Sequence, residues 1–290
     1  MSSAGPPGFV ETLESRRFAE FCDACRRYRD VGLCYGRPGV GKTLSARRYT
    51  RWEQVEACRE ATDAELEGLV GLEAVLDTAA VVNTPRRVSD DLKGLRRRLR
   101  DLAEEPLRRQ EGAALERVRE QSAHLAGEIA RNGHRWVYDE WAAERPTEGT
   151  ATRPFYERRR ALGDPTRLII VDEADRLKTV SLEQVREVFD AGDVGLVLIG
   201  IPGLEKRLAR YPQFYSRVGF VHEYRPLGVP ELRRLLAGGW APPGVRRAGT
   251  GEMDDEAVAA VIRVTGGNFR LLDRLMTQVE RVLDATASTG

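Results

Sequence analysis

No apolar run in this 290-residue chain approaches the roughly 20 residues needed to cross a bilayer, which excludes a bundle of membrane-spanning helices. The opening stretch, MSSAGPPGFVETLES, lacks the basic and apolar regions of a secretory signal, so the expected location is cytoplasmic. Net charge is nearly absent as well: Lys+Arg 46 against Asp+Glu 45 leaves +1. Overall charge therefore announces no nucleic-acid partner, and any basic surface must be local. Histidine is scarce and scattered, and His124, His134 and His222 are assigned no catalytic role. Of the four cysteines, Cys22 and Cys25 make a CxxC, but no second CxxC or nearby His pair completes a zinc site. Phe18, Phe21, Cys22, Cys25 and Tyr28 recur at helical spacing, so these thiols read as buried structural groups.

What is present is enough apolar material, 41% of the chain, for a sizeable core. Five runs read as strands of a buried parallel sheet: residues 31–36, 78–83, 167–172, 194–200 and 219–224. Helical patterns alternate with them, which is the rhythm of an α/β fold. Thr62-Asp-Ala-Glu65 and Ser181-Leu-Glu-Gln184 have the form of capping boxes at helix starts. From about residue 89 to 165 the rhythm breaks. A long charged helical pattern runs to about Arg131, with Glu104/Arg108 and Glu105/Arg109 at supporting spacing. An Arg- and aromatic-rich piece follows, with Arg135, Trp136, Tyr138, Trp141, Arg153, Phe155, Tyr156 and Arg158 to Arg160. It suits either a partner interface or packing against the protein's own core, with the second favoured. After Pro226 three helical patterns and a Gly/Pro-rich loop read as a small separate domain, so the expected division is a core over 1–226 and helices over 227–290.

Gly36-Arg-Pro-Gly-Val-Gly-Lys-Thr43 fits GxxxxGK[ST] and lies between a predicted strand and a predicted helix. Glycines there let backbone N–H groups turn toward phosphate oxygens, and the helix offers the same anion its positive end. Gly36, Pro38, Gly39, Val40, Gly41, Lys42, Thr43 and Leu44 are thus candidate nucleotide contacts, with Lys42 reaching the β- and γ-phosphates and Thr43 ligating Mg²⁺. Independently, Leu168-Ile-Ile-Val-Asp-Glu173 is an apolar strand that ends in paired acids. Asp172 is expected to hold Mg²⁺ and Glu173 to polarise the attacking water. The two motifs together predict ATP binding and hydrolysis.

With these residues in place, the chain resembles the AAA+ ATPases: a P-loop core with a five-stranded parallel sheet flanked by helices, a helical insertion and a small C-terminal helical lid. The resemblance implies an arginine finger at Arg217, just before the fifth strand, and a sensor-2 arginine at Arg270, in Gly267-Asn-Phe-Arg270. A finger acting on a neighbour's nucleotide implies a homo-oligomer, either a ring or a helical filament. One departure stands out. The end of the fourth strand, Leu198-Ile-Gly-Ile-Pro202, has no polar sensor-1 residue, so either hydrolysis is slow or another residue orients the water.

Within that family, the stretches CYGRPGVGKTLSARRY and LVLIGIPGLEKRLARYPQFYSRVGFVHEYRPL are similar to the transposon target-selection ATPases, the MuB, IstB and TnsC/TniB group. The resemblance covers roughly 9–88 and 166–284 and implies assembly on double-stranded DNA in the ATP state, recruitment or activation of a transposase, and disassembly on hydrolysis. The residues offer one candidate DNA surface, Arg86, Arg87, Lys93, Arg96 and Arg97 within NTPRRVSDDLKGLRRRLRDL. Interleaved Asp90, Asp91 and Asp101 keep open the reading of a plain solvated helix face. Two other classes stay in view: a small-molecule kinase, and a nucleotide switch acting on protein partners alone.

Overall fold

The computed structural model describes residues 9–57, 67–132, 147–238, 240 and 255–287. Two compact units emerge, one formed by Met1–Trp52, Ala74–Lys93 and Arg167–Gly290, the other by Glu53–Glu73 and Gly94–Thr166.

The first unit is built on a five-stranded sheet. In chain order the strands are β1 (Val31–Tyr35), β2 (Ala74–Thr78), β3 (Leu168–Asp172), β4 (Gly195–Gly200) and β5 (Val218–Glu223). They lie in the order β2-β3-β4-β1-β5, and every pairing is parallel. The three inner strands are near-continuous apolar runs buried along their length, as a sheet covered on both faces requires. The β5 edge strand alternates between half-buried and exposed residues, consistent with fewer neighbours there.

Two expectations need correction. The second strand is Ala74–Thr78, not 78–83. The apolar stretch after Thr78 is instead a loop, and Val81 and Val82 on it are 75% and 72% exposed. Parallel pairing sets the limit: Thr78 lies level with Asp172, where β3 ends. Ser181 is likewise no cap, because the helix around it spans Thr179–Ala191 and Ser181 is buried inside it. Thr62 to Glu65 lie outside the described residues, as do Cys58, His134, Arg135, Trp136, Tyr138 and Trp141.

Helix α1 (Leu13–Tyr28) opens with a capping box in which Thr12 and Ser15 exchange side-chain and backbone hydrogen bonds. It buries Phe18, Cys22 and Cys25 completely. Cys25 lies where a side chain on Gly32 would have to stand, so the helix rests directly on the sheet. Burial pushes the Cys25 thiol up to about 12, leaving it an inert thiol at neutral pH. Helices α2 (Lys42–Thr50) and α3 (Trp52–Ala57) follow β1.

The long charged pattern forms one helix, α4 (Pro85–Asn132), with Pro85 in its first turn and Thr84 accepting from the Arg87 N–H at 3.2 Å. Its C-terminal part and α5 (Glu148–Ala161) belong to the second unit, where Arg119 pairs with Glu148 and Arg159 with Glu111. On α5 Phe155 is half-buried, but Tyr156 is exposed and no residue is fully buried.

Back in the first unit, α6 (Thr179–Ala191), α7 (Leu204–Leu208) and α8 (Pro212–Tyr215) lie around β4 and β5. The C-terminal helices are α9 (Val229–Ala237), α10 (Asp255–Thr265) and α11 (Phe269–Ala287). They close on an apolar cluster of their own, centred on Leu232, Leu236, Val261 and Leu272. Among the described residues no helix is long and apolar enough to cross a membrane.

Candidate nucleotide-binding site

The turn from β1 into α2 is possible because Gly39 and Gly41 take φ values of 82° and 113°, which L side chains rarely adopt. It leaves the Gly36–Thr43 loop at the C-terminal end of β1, facing the N-terminus of α2. Lys42 is 8% exposed, and its ammonium donates to the carbonyls of Gly36 at 2.7 Å and Arg37 at 3.0 Å. Burial pushes its pKa down, while the Asp172 and Asp175 carboxylates pull it back up. Val40 is buried beneath the loop, and Leu44 is exposed on its outer side.

Strand β3 brings Asp172 against this loop. The Thr43 hydroxyl donates to Asp172 Oδ2 at 2.6 Å, and Asp172 Oδ1 accepts the Glu173 N–H at 2.8 Å. Glu173 itself takes left-handed backbone angles, φ 53° and ψ 35°. Its carboxylate is ion-paired with Arg176, whose guanidinium also reaches the Ala79 carbonyl at 3.4 Å.

The start of α11 completes the site from above. Asn268 Oδ1 accepts the N–H groups of Arg270 and Leu271, capping the helix, while its Nδ2 donates to the Pro38 carbonyl at 2.8 Å. The Arg270 N–H also reaches the Gly39 carbonyl at 3.2 Å. Lys42, Thr43, Asp172, Glu173, Gly39 and Arg270 are thereby gathered at one sheet edge, and Arg270 is the positive charge that bears on Lys42.

Arg217 is elsewhere. Its carbonyl accepts from Val31, the first residue of β1, so it stands at the opposite end of the sheet. There its guanidinium grips Asp190 with two bonds, at 2.6 and 2.9 Å. Of the candidate DNA contacts, Arg86 and Arg87 are exposed, with loose pairs to Asp90 at 3.8 Å and Asp91 at 3.6 Å. Lys93 is also exposed. Within the second unit Arg97 is exposed, whereas Arg96 is engaged by Asp164 at 2.7 Å.

Four further residues were not singled out from the sequence. Tyr224, at the end of β5, is buried with its hydroxyl 2.8 Å from Ser45, bracing α2 from below. Asn268 carried a signal, the Gly-Asn pair before a helix. Asp175 carried none, because its partner Ile201 is distant in sequence, and the pairing of Arg176 with nearby Glu173 was not read from the spacing.

The fold and this arrangement define a P-loop nucleotide-binding protein. A family model described as "AAA domain" matches residues 25–208, more than half of the chain. A "Potential ATP-binding protein" of Staphylococcus aureus is 33% identical over 282 residues, covering 95% of this chain and 89% of that protein. Among solved structures, the Aeropyrum pernix ORC1 protein in complex with DNA aligns with a TM-score of 0.50 at 20% identity, a likeness in fold. That alignment takes in 97% of this chain, which spans 62% of the length of that one. The chain belongs to the AAA domain family, and the family match together with this ATP-binding relative supports ATP binding.

Proposed function

We propose that this protein is an ATP-controlled regulator of DNA transposition that assembles on double-stranded DNA, recruits or activates a transposase, and disassembles on hydrolysis. The observation that carries the DNA part is the exposed cationic start of α4. Arg86, Arg87 and Lys93 stand free of buried ion pairs in the same unit as the nucleotide site. Exposed pairs such as Arg86 with Asp90 are worth about 0–1 kcal/mol, little enough to be exchanged for phosphates. The transposition part rests on the likeness of the P-loop and β4–β5 sequences to target-selection ATPases.

In this reading Lys42 leaves the loop carbonyls for the β- and γ-phosphates, and Arg270 adds a second positive charge from α11. The Thr43 hydroxyl and Asp172 carboxylate, 2.6 Å apart, are hard oxygen donors of the kind Mg²⁺ takes alongside water. Mg²⁺ held there would neutralise phosphate charge. Glu173 exchanges Arg176 for the attacking water. The water oxygen bonds to the γ-phosphorus, the bond to the bridging oxygen breaks, ADP leaves, and the water protons end on phosphate. Arg217 lies at the far end of the sheet from its own P-loop, so it serves a neighbouring copy in a ring or helical filament.

A second reading, a switch that acts on protein partners alone, is favoured by the acids Asp90, Asp91 and Asp164 set against Arg86, Arg87 and Arg96. Fluorescence anisotropy of a labelled duplex of arbitrary sequence separates the two. With ATP and Mg²⁺ the protein should bind cooperatively. Replacing Arg86, Arg87 and Lys93 by Ala should flatten the salt dependence by roughly 0.9 for each phosphate no longer neutralised. ATPase activity with no duplex binding in any nucleotide state would move the assignment to protein partners.

A further inference from the structure

The end of β4 leaves a chemical gap. Hydrolysis needs the attacking water held by more than one group, since a water with one proton fixed still swings about that bond. The strand ends at Gly200, followed by Ile201, so it offers no polar side chain. Yet Gly200 is centrally placed. It lies beside Tyr35 of β1, immediately before the P-loop, and on the other side β4 pairs with β3, which carries Asp172. Its carbonyl accepts the N–H of Gly36, the first P-loop residue, at 3.3 Å.

A carboxylate from another segment occupies this place. After Asp172 the chain makes a short 3₁₀ turn, Ala174–Arg176, which returns Asp175 to the tip of β4. Asp175 Oδ1 accepts the Ile201 N–H at 3.3 Å. It also stands 3.0 Å from where a Cβ on Gly200 would be, so the missing side chain makes its room. The turn is braced from behind, with Arg207 of α7 donating to the Asp175 carbonyl at 2.7 Å and also to Leu177. The second oxygen, Oδ2, accepts no hydrogen bond from the described residues. The Asp175 charge acts on Lys42, the P-loop lysine, in the direction that favours its ammonium form.

A carboxylate can only accept hydrogen bonds, and an attacking water has two protons to donate. We infer that Asp175 takes the place of the absent strand-end polar residue: it accepts a hydrogen bond from one O–H of the attacking water while Glu173 accepts one from the other, leaving a lone pair aimed at the γ-phosphorus. This rests on the hydrolysis reading above and names a residue it does not include. No new reactant is needed, because the bonds made and broken are those of ATP hydrolysis.

The test uses the full chain, with binding of a fluorescent ATP analogue and phosphate release measured separately. Asp175→Ala should keep analogue affinity within about threefold and lower kcat on the order of 10²-fold, within the range a positioned proton acceptor supplies. Adding Ile201→Asn to Asp175→Ala restores a polar group at the strand end and should recover part of that loss. A merely structural carboxylate would not be rescued this way. Wild-type kcat in Asp175→Ala overturns the inference, as does loss of analogue binding in proportion to kcat. A double variant no faster than Asp175→Ala overturns it too. Wild-type protein that binds the analogue but releases no phosphate, with or without duplex DNA, sinks the hydrolysis reading itself and this assignment with it.

Discussion

A Cβ placed on Gly39 would stand 2.6 Å from Oδ1 of Asn268, the residue that caps the last helix. The phosphate loop and α11 meet without a side chain between them, and Gly39 also holds a φ of 82°. Gly39→Ala therefore combines backbone strain with a collision. It should destabilise by about 1 kcal/mol or more, lowering Tm by a few degrees in a chain this size, and abolish ATP binding. Calorimetry and analogue titration check the two effects separately.

Lys42→Ala should abolish nucleotide binding while leaving the fold intact by circular dichroism, since the ammonium bonds only to loop carbonyls. Burial lowers the pKa of Lys42, so the free site loses its charge at a lower pH than an ordinary lysine near 10.4. ATP affinity should then fall as pH rises through that lowered value. Stability contributed by this group moves the other way. Between the two pKa values the unfolded chain carries the proton and the folded one does not, so stability rises with pH there. Titrations of affinity and of Tm on the alkaline side should show opposite slopes.

Glu173→Gln keeps the size of the side chain and removes the base. Phosphate release should fall by about 10²–10⁴ while ATP stays bound, so the ATP-state assembly persists. Normal hydrolysis by this variant would remove the water-polarising role from Glu173.

The Arg217–Asp190 pair is partly exposed, at 32% and 31%, and such pairs contribute about 0–1 kcal/mol. If Arg217 serves a neighbouring copy, as proposed above, that copy's phosphates would take it from Asp190 at small cost. Arg217→Ala should bind ATP normally but hydrolyse it poorly. Mixing Arg217→Ala with Lys42→Ala should restore hydrolysis that neither has alone, because one supplies an intact P-loop and the other an intact arginine. A mixture no more active than its components would confine Arg217 to its own subunit.

His222 packs among Phe18, Phe21 and Tyr224, 3.7 Å from a Glu14 oxygen, and its buried Nε2 has no hydrogen-bond partner among the described residues. Burial lowers its pKa, with the nearby Arg17 and Arg225 charges acting in the same direction against Glu14 and Glu223. The unfolded chain takes up a proton near pH 6.5 that the folded chain refuses until lower pH. This residue therefore costs stability as pH falls from about 6.5 toward the folded value. His222→Phe should lose less Tm than wild type over that interval.

Particular residues explain what the sequence revealed of all this. The inner strands were legible because burial on both faces demands unbroken apolar runs, as in Leu168–Asp172 and Gly195–Gly200. The edge strand Ala74–Thr78 was misplaced because the more apolar stretch beside it, ending in Val81 and Val82, is exposed and unpaired. Ser181 mimicked a cap by local spacing, whereas the helix starts two residues earlier, at Thr179. The phosphate loop and its acidic strand were legible because their chemistry is local in sequence. Asp175 was not, since it acquires its role by touching Ile201, in a segment that only folding brings near.

Asn268 also sets a mechanical condition. Its amide grips the Pro38 carbonyl while the backbone of Arg270 grips Gly39, so the phosphate loop is stitched to the C-terminal helices at consecutive peptide-bearing residues. Swinging those helices away tears the stitches, and tearing them loosens the cradle. Any hand that pulls on the last helix is thereby also prising at the phosphate loop.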